Sequence, residues 1–442
     1  MRAGQCCVSD KAIEPELDWS GYENAGLGDA YADIPKSGGD FAKAVAVCIN
    51  SMVCLRPIEK GVMCPSFRVH RDAAYSPGGR SRLLKRMLNG EITAEEQAEL
   101  DRAMEACVSC KGCKRECDTN LDLATIRTEY FAQRLKTQAP RLRQRLFARL
   151  PQLLHYPLVM KAGVALFNAF PQLARQLGLN TEHPLPMPQR LPRLRPLDNR
   201  PEAPEVLLWL DSFTYHFSPA AADAALKVLE AAGFRVHLLK EHCGGRSAYS
   251  QGLLRDAKKQ AQALINELEP HLKAGRTVIG LEPSTLLMLR DEVLTLGLGE
   301  RALDVAASAL LFEEFIAREI SAGRLKLALQ ARQDAKPILV HGHCHQKAVG
   351  AMKSVRKVLK LIPELEFEFI EASCCGGGGS FSFEAENAAD SRAMAELALM
   401  PRLAESPESE LLANGFSCRE QVARLGGPDG IHLAELLARH LA

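Results

Sequence analysis

No stretch of this chain is long and apolar enough to cross a bilayer. The longest candidate, LVMKAGVALFNAF (158–170), is broken by Lys161 and falls short of the roughly 20 residues a spanning helix needs. The start, MRAGQCCVSD, has no apolar h-region, so no secretory signal is expected and the chain reads as cytoplasmic. Net charge is lacking too: +1 at neutral pH exerts no global pull on nucleic acid. No G-x-G-x-x-G fingerprint lies on a strand-to-helix turn, and the run Gly376–Gly379 follows a cysteine pair instead. A dinucleotide-binding domain of that type is therefore not expected in this chain.

Cysteine is what the chain has in excess, 14 in 442 residues, in an otherwise ordinary composition of 47% hydrophobic and 25% charged residues. The length suits two or three domains. In a reducing compartment, clustered cysteines point to metal rather than disulfides. The run CVSCKGCKREC carries Cys107, Cys110, Cys113 and Cys117 at C-x2-C-x2-C-x3-C spacing. Such a loop wraps three thiolates around one cubane iron–sulfur cluster, and the fourth cysteine leaves to ligate a second. Zinc sites usually show CxxC pairs a dozen or more residues apart, and four cysteines at two-residue gaps do not form a disulfide set.

Upstream lie Cys48, Cys54 and Cys64, the last followed by Pro65. In a two-cluster ferredoxin-like arrangement, three cysteines of one motif join the Cys-Pro cysteine of the other. Cys64, Cys107, Cys110 and Cys113 then form one complete set. Cys48, Cys54 and Cys117 form a second set one ligand short, because Ser51 stands where its fourth cysteine would be. Three outcomes stay open there: a three-iron cluster, a cluster with an oxygen ligand, or none.

Residues 1–40 read as an irregular lead-in and 41–136 as helices carrying the cysteine loops, a ferredoxin-type domain. Thr93 with Glu96 predicts a capping box that starts the helix delivering Cys107. Residues 137–204 form a basic amphipathic arm followed by a Pro-rich linker; 131–200 hold 12 Lys/Arg against only Glu182 and Asp198. The bland reading of the arm is packing on its own protein. The functional one is contact, through 141–175, with an anionic membrane surface or a partner subunit.

Beyond Glu205 the pattern turns to strand–helix alternation, with apolar runs at 206–210, 235–239 and 277–281, then 338–344 and 366–370. This predicts two duplicated α/β modules, 205–335 and 336–442, with mostly parallel sheets, and an α+β architecture overall. The loops HCGGRS (242–247), EPST (282–285), HGHCHQ (341–346) and SCCGGGG (373–379) each follow a strand, where ligands collect in such folds. His341, His343 and His345 alternate at period two, which puts them on one face if the strand persists.

Taken together, CINSMVC…GVMCPSFRVHRD (48–72), CVSCKGCKREC, HGHCHQKAVGAM (341–352), SCCGGGGSFSFEAE (373–386) and NGFSCREQ (414–421) resemble the C-terminal iron–sulfur half of the bacterial FAD-linked D-2-hydroxyacid dehydrogenases. The iron–sulfur subunits of glycolate oxidase and anaerobic glycerol-3-phosphate dehydrogenase are similar in plan. The resemblance implies a 4Fe-4S electron-transfer module fed by an FAD-binding subunit or domain outside this chain, and discharged to a quinone or redox protein. It also implies a third cysteine-rich site at Cys344, Cys374, Cys375 and Cys418, for a cluster or zinc, with His343 and His345 as extra ligands or proton carriers. Departures from the pattern, namely Ser212, Gly244, Thr285 and Gln421 where cysteines are expected, leave open a degenerate homologue serving as a scaffold or partner-binding protein.

Overall fold

A computed structural model describes residues 13–29, 31–56, 61–189, 194–197, 201–333 and 336–442. The first part of the lead-in and parts of the Pro-rich linker (190–193 and 198–200) lie outside the described residues.

Among the described residues, six α-helices build the N-terminal region: Gly39–Ala46, Pro65–His70, Pro77–Leu88, Ala94–Glu105, Gly112–Glu116 and Leu123–Thr137. The Thr93 hydroxyl accepts from Glu96 N while the Glu96 carboxylate accepts from Thr93 N, the reciprocal cap the sequence predicts. The irregular lead-in is tied down by one buried carboxylate: Glu129 accepts from Leu17 N (2.8 Å) and from Trp19 Nε1 (3.1 Å). The arm is three helices, Leu142–Leu154, Pro157–Ala169 and Pro171–Gln176.

The rest carries two four-stranded sheets. The first comprises β1 (Glu205–Leu210), β2 (Arg235–Lys240), β3 (Thr277–Gly280) and β4 (Ala309–Leu311), in the order β2-β1-β3-β4. The second comprises β5 (Ile338–Val340), β6 (Phe367–Phe369), β7 (Glu410–Leu412) and β8 (Gly430–Ile431), in the order β6-β5-β7-β8. Every pairing within them is parallel. Strands β4 and β8 carry too little apolar sequence to announce themselves, and neighbours define them.

Side chains of β1 alternate between two cores, as a pleated strand requires. Leu207 and Trp209 join the core shared with the cluster helices through Leu100, Met104 and Tyr130. Val206, Leu208 and Leu210 face a second core that reaches Ile338, Val340 and Leu433 of the other sheet. The carboxyl ends of the strands in both sheets meet. Glu282, after β3, accepts from Phe416 N after β7 (2.7 Å), and His432 Nε2 donates to Leu281 O (3.2 Å).

One expectation fails here. The strand does not run through 341–344: β5 ends at Val340, and a helix starts at Cys344 with His343 as its cap. The three histidines therefore do not share a strand face. Lys347 from that helix reaches the Ala372 carbonyl instead of extending the sheet.

Candidate metal centres

The helix Ala94–Glu105 ends two residues before Cys107, and left-handed backbone at Ser109 (φ 50°) and Lys111 (φ 60°) folds the following loop back on itself. Cys107, Cys110 and Cys113 are all buried. Gly112 packs so closely on the preceding segment that a Cβ there would lie 2.8 Å from Met63 N. Glu116 holds the same segment by accepting from Val62 N (2.7 Å) and Met63 N (3.0 Å), which presents Cys64 to the loop. The result is a small cavity lined by Cys64, Cys107, Cys110 and Cys113 together with Arg80 and Lys111. The sequence-predicted first set is thus brought together.

Arg80 is fully buried. It donates from Nε to Ala103 O (2.7 Å) and from Nη1 to Cys64 Sγ (3.6 Å), while its Nη2 has no partner. A buried guanidinium with an idle N–H beside four thiols fits a polyanionic group whose inorganic sulfides accept hydrogen bonds. Without such a group, burial pushes the Cys110 and Cys113 thiols well up, and the neighbouring cysteines push them further.

Cys48 and Cys54 also converge. Both sulfurs face Gly78, where a Cβ would lie 3.3 Å from Cys54 Sγ and 3.8 Å from Cys48 Sγ. Burial raises the Cys54 thiol. Cys117 follows the helix Gly112–Glu116, with its sulfur 3.3 Å from Thr119 Oγ1. Ser51 is exposed, between left-handed Asn50 and Met52.

The depleted loops of the first sheet have taken other partners. Cys243 donates to Gln260 Oε1 (2.9 Å), and burial pushes its thiol up to about 11, as for a structural thiol. In the second sheet the predicted cysteines do gather. Cys375 Sγ lies 3.4 Å from Cys418 Sγ, and the Cys344 and Cys375 thiols both approach Cys374. Gly376 N and Gly377 N donate to Cys374 (3.3 Å) and Cys375 (3.4 Å). The Cys344 and Cys375 thiols beside it, and then Gly376 N, draw the Cys374 thiol below its ordinary range, against the opposing effect of burial. Gly376 has to be glycine: φ is +77°, and a Cβ would lie 2.0 Å from Ser391 O.

This second group sits directly on the first. His345 Nε2 donates to Ser109 O inside the cluster loop (2.9 Å). A Cβ on Gly378 would lie 3.0 Å from Val108 O. Cys110 and Cys374 share one small apolar cluster with Val62, Val108, Phe381 and Met394, with Cys344 against it. From the opposite side, Lys111 is clamped by Asp291 (2.6 Å) and Glu292 (2.7 Å), and Glu292 also binds Arg246.

Two of the three histidines are engaged with backbone groups. His345 spends Nε2 on the cluster loop, and His343 Nδ1 accepts from His345 N (3.2 Å). It is His341 that comes close to Cys375 and Cys418. Sequence reasoning also passed over Arg80, Glu116 and Glu292. Nothing local distinguishes Arg80 and Glu292 from solvated charges. Lys111 and Glu116 carried the one available signal, by lying inside the cysteine run.

Comparison with known proteins agrees with this geometry. Residues 47–122 match the family model of a 4Fe-4S dicluster domain, and residues 338–404 that of a cysteine-rich domain. The chain is 26% identical over 450 residues to D-2-hydroxyglutarate dehydrogenase of Pantoea ananatis, covering 86% of this chain and 42% of that protein. It is 24% identical over 400 residues to the glycolate oxidase iron-sulfur subunit of Escherichia coli K12, covering 86% of this chain and 91% of the relative. To one of the subunits of anaerobic glycerol-3-phosphate dehydrogenase from the same strain it is 26% identical over 245 residues, 54% of this chain and 59% of the relative. The chain spans less than half the length of the D-2-hydroxyglutarate dehydrogenases it matches.

Proposed function

We propose that this chain is the iron–sulfur electron-transfer module of a flavin-dependent 2-hydroxyacid dehydrogenase. It would accept electrons from an FAD-binding subunit or domain and deliver them to a quinone or redox protein. The observation that carries this is the four-cysteine cavity with its buried Arg80, packed directly against the Cys374 group. Cys64, Cys107, Cys110 and Cys113 hold the first 4Fe-4S cluster. Cys48, Cys54 and Cys117 hold the second, with one position left to a non-cysteine ligand. Cys344, Cys374, Cys375 and Cys418 supply thiolates for a third metal site.

A bound 4Fe-4S cluster supplies one-electron chemistry, its potential set by net charge, hydrogen bonds to sulfur and exposure. The protein's own part is to fix those terms. Arg80 places a permanent positive charge against the thiolates, Lys111 is neutralised by Asp291 and Glu292, and the loop backbone keeps water from the buried sulfurs. The duplicated-module plan, with boundaries at 41–136, 205–335 and 336–442, is part of this reading. The matching strand orders of the two sheets support it.

Anaerobic purification followed by iron, sulfide and EPR analysis tests the function. Iron and acid-labile sulfide in equal amounts are expected, with an EPR signal that appears on reduction by the flavoprotein. A chain that holds only zinc, and takes up no iron on reconstitution, overturns it.

The arm adds a peripheral membrane contact to the proposal. Between 141 and 175 there are basic residues and no acidic ones. The helix Pro157–Ala169 buries only Val164, leaving Leu158 and Val159 82% and 68% exposed. No helix among the described residues is long and apolar enough to cross a membrane. An apolar face with a basic surround suits lying in an anionic interface. The chain is expected to sediment with phosphatidylglycerol vesicles but not phosphatidylcholine ones, less at high salt. Leu158→Glu with Val159→Glu is expected to cut binding at least tenfold. Equal sedimentation of the variant would refute the contact.

A further inference from the structure

We infer that the basic face of the helix Met352–Leu359, with its cap Lys360 and the nearby Arg115, docks an acidic one-electron carrier protein. This deepens the electron-transfer reading above, on which it rests, and selects a protein rather than a quinone as the acceptor.

The sequence puts four cations on one side of this helix. Lys353, Arg356, Lys357 and Lys360 follow an i, i+3, i+4, i+7 pattern, and all four are exposed. At 1.5 Å of rise per residue the stripe is about 10 Å long. The helix itself contains no acidic residue.

The contacts of the stripe fix its charges without cancelling them. The Arg356 guanidinium lies 4.3 Å from the Phe369 ring centroid, and Lys357 Nζ donates to Ser321 Oγ. Phe367 and Phe369 face this helix from β6, so Glu366 and Glu368, which alternate with them, point the other way. Glu368 is bound there to Arg402 (2.7 Å). The helix Phe312–Ser321 packs beside the stripe, and its carboxylates are also engaged: Glu314 with Arg290 (2.6 Å) and Glu319 with Arg324 (2.7 Å).

Position identifies the class of partner. The helix Cys344–Ala348 packs on Gly112–Glu116, the segment that carries Cys113 and leads to Cys117. A Cβ on Gly350 would lie 3.8 Å from Arg115 Nη2. Arg115 is exposed and stands two residues from both Cys113 and Cys117. The stripe begins at Lys353, three residues after that contact, so a protein seated on it lies against the rim of the cluster loop. One electron then passes from the reduced chain to the carrier, and no bond forms or breaks.

Other occupants gain less from this face. An interfacial helix needs an apolar side to bury in lipid. Here Val355, Val358 and Leu359 are already spent on the core. The arm supplies such a side, and it packs elsewhere, with Leu142–Leu154 against Ser212–Phe217 and Arg246–Ser250. A neutral quinone draws nothing from exposed cations. An acidic protein does, because complementary charge speeds encounter and fixes orientation.

The test uses the full chain, reconstituted anaerobically with iron and sulfide and reduced with dithionite. Stopped-flow reoxidation is followed with plastocyanin, an acidic copper protein, with cytochrome c, a basic haem protein, and with the neutral acceptor decylubiquinone. At low ionic strength plastocyanin is expected to react about tenfold faster than cytochrome c, an advantage that high salt removes. Lys353→Glu with Lys360→Glu should cut the plastocyanin rate about tenfold, and Lys353→Gln with Lys360→Gln by less. Both double variants should keep their iron content and their decylubiquinone rate, which reports that they fold. A plastocyanin rate unchanged by the charge reversal overturns the inference, as does a faster reaction with cytochrome c at low salt. Charge reversal that weakens binding to duplex DNA or phosphatidylglycerol vesicles, but not to plastocyanin, overturns it too. Titration of labelled plastocyanin at low salt reads docking without electron transfer. A chain that binds plastocyanin through this face but holds no reducible iron would therefore defeat the electron-transfer reading and leave the docking face standing.

Discussion

Cys110→Ser is expected to remove about four irons per chain and to stop electron flow from the flavoprotein to a one-electron acceptor. Cys110 lines the cavity with Cys64, Cys107 and Cys113 and also packs against Cys374, so it borders both groups of thiols. Cys117→Ser should lose only iron belonging to the second set and leave the first spectroscopic signal in place. Iron content, EPR and steady-state reduction of an artificial acceptor read these outcomes separately. An unchanged iron content in Cys110→Ser would remove the ligand assignment. Loss of iron with partner assembly and turnover both intact would favour the scaffold reading over conduction.

Glu292→Ala is expected to destabilise the chain by about 3–5 kcal/mol, the usual result of removing one partner from a buried ion pair. The carboxylate is 3% exposed and the Lys111 side chain 5%, at 2.7 Å. Arg246 completes the group. Asp291→Ala should cost less, since its carboxylate is 24% exposed and its bridges are better screened. Denaturant unfolding at pH 7 compares the two, and similar losses would refute the ranking. Burial alone would raise the Glu292 carboxyl, but Lys111 and Arg246 hold it well below the usual carboxylate range. A depressed carboxyl stabilises the fold above its unfolded pKa, and that contribution fades as pH falls through and below the usual range. Glu292→Gln should therefore show a flatter decline of stability in acid than the unmutated chain. Because Lys111 lies between Cys110 and Cys113, the same variants should broaden the EPR signal of the first cluster.

Chemistry tied to local spacing was legible in the chain. The C-x2-C-x2-C run, the Cys64-Pro65 step and the gap at Ser51 all concern residues close in sequence, where a short loop leaves few geometries. The capping box at Thr93 and the longer strands were equally readable, since a Thr cap and a run such as VLLWL act over one turn or one pleat. Other features were not readable. The strand end at Val340 depended on a neighbouring helix claiming His343 as its cap. The short strands β4 and β8 exist only because β3 and β7 offer them an edge.

The sequence by itself pointed to iron–sulfur chemistry and to Cys107, Cys110 and Cys113 as candidate ligands of one cluster, because a C-x2-C-x2-C loop is a matter of spacing. Only the tertiary structure decided what surrounds those thiols. Arg80, Glu292 and His341 come from distant points of the chain, and their burial, not their identity, gives them a role. A charge or an imidazole in water costs nothing to leave alone, whereas the same group enclosed by packed side chains must find a partner. That requirement appears only when the two sheets close over the cluster loop.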